Sequence, residues 1–376
     1  MRSCVFAVLG LVALSANTSA LEDPPQGSAE FDKFVTYYYL DKDTSSVVNF
    51  LKWLQESEML DDNASALTPT AAFLAIVFAD NPSEVGRFAK SADFTGRTKE
   101  AVQIALWRSG HAKKVAEIFG EMPAFAKKKP VNLKKKKMKG PGDLDMMWGA
   151  FLASGDVVYV KKVIDVLDEK HPLSGDATKD EVTRGAAEWS LKSNMIQHEL
   201  VYRLIHKESM SRTGDVKKKL QEMVSYAKPK DALPHKDGPF SADLYVMADK
   251  EMAEFDKPVD DAPRIGHKST AKRGDIVGIK IVFGGIELAD DLNANVTYDL
   301  KILNPDGDVY EEADLKDLEA LSGKIPTRFR VFDNRLVIKI RFEPHDKLGV
   351  YKISATIRDK IGDKSVSLTR EIELKG

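Results

Sequence analysis

Cysteine is almost absent from this 376-residue chain, since its single cysteine is Cys4. The chain begins Met1-Arg2, continues with an apolar run over 5–14 and then has small polar residues up to Ala20. A basic start, an apolar stretch too short to span a bilayer and a small residue before the cut are typical of a secretory signal. We expect cleavage near Ala20, which leaves an exported chain that has no disulfides.

Long apolar runs and an excess of either charge are also missing. No later run approaches the roughly 18 apolar residues of a membrane helix, so no transmembrane segment is predicted. The chain has 56 Lys and Arg residues against 58 Asp and Glu residues, a formal net charge of −2. This balance gives no reason to expect nucleic acid as a partner. Export without cysteine favours a bacterial periplasm, because eukaryotic secreted proteins are more often disulfide-bonded.

Catalytic and metal-binding motifs are missing as well. There is neither a Gly-X-Ser-X-Gly elbow nor a Gly-X4-Gly-Lys phosphate loop. The pair at 198–199 begins like a zinc-protease helix, but Tyr202 stands where the second histidine is needed. Residues 290–295 resemble a calcium loop, yet Val296 replaces its glycine and Ile302 its bidentate glutamate. We predict no catalytic, cofactor or metal residues and no cofactor, and we do not expect an enzyme.

What the chain does contain is helical periodicity from Phe31 to about Ala227, with apolar residues on single stripes. Turn residues repeatedly interrupt apolar helices, and a second amphipathic helix follows each interruption. The predicted first helices of four hairpins are Thr70–Ala79, Lys99–Arg108, Leu144–Ala153 and Arg184–Lys192, the last ending at Ser193-Asn194. We predict an α-solenoid-like array that resembles HEAT and tetratricopeptide arrays in architecture only. All four tryptophans, Trp53, Trp107, Trp148 and Trp189, lie in these helices, and we predict that they are core residues.

A lysine-rich loop is predicted over Met122–Gly142, between the second and third hairpins. Its lysines are Lys127, Lys128, Lys129, Lys134, Lys135, Lys136, Lys137 and Lys139. Such a charge density favours contact with phosphate, lipopolysaccharide or an acidic partner. The alternative is a solvated loop without a function.

After Pro239 the period of the apolar residues changes to two, which predicts strands. Alternation is clearest around Phe283, over 336–342 and over 351–357, and Asn304–Gly307 and Asp359–Asp363 read as turns. Residues 242–257 are predicted as two strands, with a helix as the alternative. Six to eight short strands with one buried face predict an antiparallel β-sandwich.

The segment Asp346–Tyr351 resembles the tyrosine corner of immunoglobulin-like and fibronectin-like sandwiches. The cysteine pair of antibody domains is absent. The chain as a whole is similar to exported bacterial proteins of uncharacterised function that pair helical repeats with a terminal sandwich. This resemblance implies a fold and no activity.

The sequence therefore predicts a multidomain α+β protein. Its parts are a signal peptide (1–20), an all-α helical-hairpin domain (21–227), a linker (228–238) and a β-sandwich (239–376). The leading hypothesis is an exported, non-enzymatic binding or scaffold protein that presents its helical array to a protein or peptide. One alternative is an envelope- or carbohydrate-binding module, which exposed aromatics such as Tyr310, Phe329 and Phe332 on a sandwich face, or a fixed basic loop, would indicate. The other is a hydrolase with carboxylates of perturbed pKa in a cleft.

Overall fold

The computed structural model describes residues 27–170, 172–227, 233–256 and 266–376. They divide into two compact units, one ending at Tyr226 and one beginning at Ala227. The first, here the helical unit, contains α-helices, and the second, here the β unit, contains mainly strands. Helices followed by sheets confirm the predicted α+β arrangement. The predicted signal segment 1–20 and residues 228–232 of the predicted linker lie outside the described residues.

The helical unit consists of α-helices with three short 3-10 turns. The helices are α1 (Ser28–Asp41), α2 (Ser45–Glu56), α3 (Met59–Asp62), α4 (Leu67–Asp80), α5 (Val85–Ala89), α6 (Gly96–Arg108), α7 (Ala112–Phe119), α8 (Pro141–Ser154), α9 (Val157–Asp165), α10 (Ala177–Gln197), α11 (Glu199–Ser211) and α12 (Gly214–Tyr226). The 3-10 turns are Ala64–Ala66, Ala124–Lys127 and Leu133–Lys135. None of the helices described combines the length and apolar composition needed to cross a membrane.

Three of the four predicted helix ends are confirmed. Helix α4 ends at Asp80, α6 ends at Arg108 and α8 ends at Ser154. After α8 the chain turns at Gly155, which has a φ of +73° and donates its N–H to the carbonyl of Phe151 at 2.7 Å. Glycine suits this position because its lack of a Cβ permits the left-handed conformation.

The fourth predicted end is wrong, because α10 runs through Ser193-Asn194 and ends at Gln197. The Asn194 amide donates to the carbonyl of Ser190 at 2.9 Å, so it bonds within the helix instead of capping it. The helix ends one turn later, where the His198 N–H still donates to the Asn194 carbonyl at 2.9 Å. A polar pair that bonds to its own helix does not act as a stop signal.

Helix α4 lies at the centre of the helical unit, where almost all of its side chains are buried. It packs against both α6 and α8. Gly149 of α8 makes the closest approach, because a Cβ there would lie 2.2 Å from the carbonyl oxygen of Pro69. The pairing of α8 with α4 differs from the sequential stacking expected of an α-solenoid-like array.

The tryptophans have different environments. Trp148 is fully buried, whereas Trp53 and Trp107 are half-buried. Trp189 is 45% exposed, so the prediction that all four are core residues is wrong for this one. The physical reason is the orientation of α10, which buries the face that carries Thr183, Ala187 and Leu191 and leaves Trp189 on the other side.

The β unit contains ten strands in its described residues, arranged in two sheets of five. The strands are β1 (His235–Asp237), β2 (Phe240–Ala248), β3 (Thr270–Lys272), β4 (Ile276–Gly284), β5 (Asn293–Leu303), β6 (Val309–Lys324), β7 (Val331–Asp333), β8 (Ile338–Arg341), β9 (Gly349–Asp359) and β10 (Lys364–Lys375). One sheet has the order β1-β2-β4-β7, with β8 also paired to β4, and the other has the order β3-β10-β9-β5-β6. All pairs are antiparallel except β3 with β10, so the second sheet is mixed.

Side chains from both sheets form one hydrophobic cluster. The alternating residues of β9, from Tyr351 to Ile357, point into it as predicted. The side chain of Arg370 on β10 also links the sheets, because it donates to the Asp243 carboxylate of β2 at 2.7 Å. Lys280 on β4 is only 2% exposed, and its ammonium group contacts the Asp333 carboxylate at 2.8 Å.

Three segments of the β unit differ from the strand prediction. The first of the two strands predicted in 242–257 is present as part of β2. The second is replaced by a 3-10 helix over residues 249–256. Leu336 is 76% exposed and precedes β8, because the chain turns at Arg335 with a φ of +51°. The end of the predicted linker forms β1, which pairs with β2.

The predicted tyrosine-corner contact is present at the start of β9. The hydroxyl of Tyr351 donates to the carbonyl of Lys347 at 3.0 Å. Its ring is buried and lies edge-on to Phe342, with ring centroids 5.0 Å apart. The bond therefore ties the turn before β9 to the core.

Candidate binding surfaces

The segment Lys127–Lys139, here the lysine loop, lies between α7 and α8 and is held by its backbone. Ala126, in the 3-10 turn Ala124–Lys127, and Leu133, in the 3-10 turn Leu133–Lys135, are buried. The Trp107 indole N–H donates to the carbonyl of Lys128 at 2.5 Å, and Lys162 of α9 donates to the carbonyl of Lys136 at 3.1 Å. These contacts fix the path of the loop while leaving most of its side chains in solvent.

Two of the eight predicted lysines form ion pairs. The Lys134 ammonium lies 2.6 Å from Asp156, which raises the pKa of Lys134 through a hydrogen bond. Lys136 lies 2.9 Å from Asp143. The other six, Lys127, Lys128, Lys129, Lys135, Lys137 and Lys139, are exposed and form no ion pair with any residue that the structure describes. The loop therefore carries six uncompensated positive charges on a fixed backbone.

The buried face of α10 combines the apolar Ala187, Leu191 and Met195 with an unusual number of polar residues. It includes Thr183, Ser190 and Asn194. Their side chains donate to carbonyls of the same helix, Thr183 to Lys179 at 2.7 Å and Ser190 to Ala187 at 3.0 Å. Polar groups that are satisfied in this way are tolerated in a core.

Three large apolar side chains of α10 are exposed. Val182 is 55% exposed, Trp189 is 45% exposed and Ile196 is 37% exposed. Their spacing of seven residues places them on one stripe about 21 Å long. Gly185 lies between the first two, and a Cβ there would meet no atom within 4 Å. The stripe is thus a row of large apolar side chains with an open notch.

A small apolar pocket lies among α1, α2, α4 and α8. Its lining includes Phe31, Asp32, Trp53, Phe73 and Gly149, and its cavity volume is about 20 Å³. This volume holds a single water molecule. Burial raises the pKa of Asp32 to about 6. One carboxyl group in a pocket of this size does not form the cleft with several carboxylates that the hydrolase hypothesis requires.

Two buried aspartates of the helical unit have opposite environments. Asp145 on α8 is 8% exposed and accepts no hydrogen bond from a described residue, and burial raises its pKa to about 7. Asp180 on α10 is 4% exposed and accepts hydrogen bonds from the Ser174 hydroxyl at 2.6 Å and the Leu173 N–H at 2.8 Å. These bonds lower the pKa of Asp180. Hydrogen bonds stabilise one carboxylate, whereas desolvation penalises the other.

His198 and Glu199, the pair that resembles the start of a zinc-protease helix, are buried and make packing and ion-pair contacts. His198 is buried, and its Nδ1 lies 3.1 Å from the Tyr39 hydroxyl. Its ring lies edge-on to Phe151, with ring centroids 5.5 Å apart. Glu199 is also buried and lies 2.9 Å from the Arg203 guanidinium. The two His198 contacts join the start of α11 to α1 and α8.

The acidic turn before β5 is stabilised from within. Asp291 accepts hydrogen bonds from the N–H of Asn293 at 3.1 Å and from its side-chain amide at 2.6 Å. These bonds lower the pKa of Asp291. Residues 290–293 therefore form a polar turn, the alternative to a calcium loop at this position.

A cluster that the sequence did not indicate lies near the start of β6. Ligand atoms of Glu311, His345 and Asp346 are within 4.8 Å of one another. Asp346 already accepts hydrogen bonds from the Tyr310 hydroxyl at 2.8 Å and the Glu343 N–H at 2.6 Å. Its carboxylate therefore organises the turn before β9.

The aromatics considered for carbohydrate contact do not form an exposed platform. Tyr310 is 6% exposed, and its hydroxyl bonds to Asp346. Phe332 is half-buried and stacks on Phe283 with ring centroids 6.0 Å apart, and Phe329 is half-buried as well. Strand pairing brings Tyr310 and Phe332 into the fold, which their spacing in the sequence does not indicate.

No protein-family model matches this chain, and no curated protein matches it. Among solved structures it is similar to a family 123 glycoside hydrolase from Clostridium perfringens, with 17% identity over 36% of this chain and a TM-score of 0.22. It spans 27% of that hydrolase.

Two further structures are comparably distant. An alkylpurine DNA glycosylase from Pseudomonas fluorescens has 9% identity over 99% of this chain and 94% of its own, with a TM-score of 0.21. A CARDB domain from Pyrococcus furiosus has 10% identity over 39% of this chain and 94% of its own, with a TM-score of 0.20. At these TM-scores none of the three supports an inference about fold or activity.

Proposed function

We propose that this protein is an exported, non-enzymatic binding or scaffold protein whose helical unit presents α10 to an amphipathic helix of a protein partner. The observation that carries this proposal is the exposed stripe of Val182, Trp189 and Ile196. Large apolar side chains at a seven-residue spacing are the pattern with which one helix receives another. The β unit, in this proposal an immunoglobulin-like sandwich, acts as a spacer or second contact.

The composition of α10 supports a helical partner. A tryptophan next to an open glycine notch provides both a knob and a hole for a facing helix. Glu188 is paired with Lys192 at 2.7 Å, whereas Glu181 is exposed and forms no ion pair with a described residue. We therefore expect the partner helix to carry basic residues beside its apolar stripe.

The test measures binding of basic amphipathic helical peptides to the protein without residues 1–20. We expect these peptides to bind and to shift tryptophan emission, whereas scrambled peptides of the same composition should not bind. Trp189→Lys should weaken binding at least about tenfold, because it removes a central aromatic contact worth ~2 kcal/mol. Met210→Lys is the matched control, since Met210 on α11 is 63% exposed.

Three outcomes would contradict the proposal. Scrambled peptides could bind as well as amphipathic ones, or Trp189→Lys could bind as well as the unmodified protein. A dimer in sedimentation velocity that Trp189→Lys dissociates would instead identify a second copy of the chain as the occupant of the stripe.

A further inference from the structure

The lysine loop is a second surface of the helical unit, and its charges are available for a ligand. Its two ion-paired lysines, Lys134 and Lys136, fasten the loop to Asp156 at the start of α9 and to Asp143 of α8. Its six remaining lysines are exposed and form no ion pair with a described residue. These exposed lysines stand on a backbone that buried Leu133 and two side-chain hydrogen bonds hold in place.

The chemistry of the loop favours phosphate groups spread over a surface. All eight of its charges are lysines, and none is arginine. Lysine is a compact point charge, whereas arginine offers the planar fork that recognises individual carboxylates or phosphates in fixed geometry. Flexible ammonium groups on a fixed loop suit many equivalent anions better than one shaped acidic site.

An apolar residue lies between the two lysine runs. Val131 is 58% exposed, and the half-buried Pro130 precedes it. An apolar tip flanked by lysines suits a bilayer interface, where the apolar group enters the headgroup region and the ammonium groups contact phosphates. A purely polar polyanion such as poly-glutamate offers no corresponding place for the valine.

We propose that the lysine loop docks this protein on an anionic lipid surface, through lysine contacts to headgroup phosphates and insertion of Val131. Each lysine near such a surface strengthens binding by about fivefold. Six lysines together therefore give binding that depends steeply on salt and on the fraction of anionic lipid.

The experiment measures partition of the whole protein onto vesicles of phosphatidylcholine with or without phosphatidylglycerol. We expect binding only to the anionic vesicles, with a loss of binding as salt is raised. Lys129→Glu together with Lys137→Glu should lower partition by at least about 25-fold. Lys217→Glu with Lys218→Glu on α12 changes the net charge equally and should leave partition nearly unchanged.

A second pair of measurements separates lipid from other anions. Val131→Asn should weaken vesicle binding without changing any weak association with poly-glutamate or inorganic phosphate. Equal binding to neutral vesicles, equal losses in the two lysine variants, or poly-glutamate binding as tight as vesicle binding would each overturn the proposal. Circular dichroism of each variant checks folding, since all substituted loop side chains are exposed.

Discussion

At the scale of single residues, the most informative group is a buried aspartate that has no hydrogen-bonding partner among the described residues. Asp145 is 8% exposed, and burial raises its pKa to about 7 from an ordinary value of 3.8. As the pH rises from about 4 to 7, the unfolded chain loses this proton while the folded chain retains it. The free energy of unfolding therefore falls across this window and stays lower above it.

We expect Asp145→Asn to stabilise the helical unit at pH 8 by up to ~4 kcal/mol, because it removes the cost of a buried charge. The difference from the unmodified protein should disappear below about pH 4. Urea unfolding followed by tryptophan fluorescence at several pH values measures it.

Asp180→Asn is the control with the opposite sign. The lowered pKa of Asp180 means that its carboxylate stabilises the fold above the ordinary pKa and loses this contribution as the pH falls. Asp180→Asn should therefore destabilise the unit at neutral pH and have less effect in acid. An Asp145→Asn variant whose stability follows that of the unmodified protein at every pH would show that this carboxyl is not desolvated.

At the scale of elements, the closest helix pair depends on one glycine. A Cβ at Gly149 of α8 would lie 2.2 Å from the carbonyl oxygen of Pro69 on α4. Backbone atoms cannot move aside as a flexible side chain does, so any side chain at this position must separate two buried helices.

Gly149→Ala is therefore expected to destabilise the helical unit by ~3 kcal/mol, despite the higher helix propensity of alanine. Gly142→Ala is the matched control in the same helix, because a Cβ at Gly142 meets no atom within 4 Å. Thermal unfolding of both variants measures the difference. Equal stability of the two would refute the close approach of α4 and α8.

The sequence predicts those elements whose side chains follow their own period. Strand β9 was predicted because Tyr351 and Ile353 alternate with exposed residues along it. The end of α10 was missed because Asn194 bonds to its own helix, a choice that depends on three-dimensional packing. Lys280 was missed as a buried residue, because its partner Asp333 is brought to it by strand pairing.

The same distinction applies to the candidate surfaces. The lysine loop was visible as a run of charge, although the sequence does not tell which lysines are paired. The stripe on α10 runs counter to the prediction from sequence, which places the apolar Trp189 in the core. The seven-residue spacing of Val182, Trp189 and Ile196 was available in the sequence, and the small or polar residues Thr183, Ala187 and Ser190 on the other face were the accompanying signal.

At the scale of the whole molecule, the division between Tyr226 and Ala227 predicts two independent folding units. Each unit has its own buried residues, and the β unit has a hydrophobic cluster drawn from both of its sheets. We expect fragments 21–226 and 227–376 to fold separately, each with a cooperative urea transition. Circular dichroism should show helix in the first fragment and strand in the second. Loss of structure in either fragment would contradict this prediction.

The uneven distribution of tryptophan has an optical consequence. All four tryptophans belong to the helical unit, whereas the β unit contains tyrosines and no tryptophan. Emission excited at the red edge of the absorption band therefore reports the helical unit alone, even in the full chain. Within that signal, buried Trp148 and exposed Trp189 differ in their access to a soluble quencher such as acrylamide. One cuvette experiment can thus distinguish occupancy of the α10 stripe from unfolding of the core.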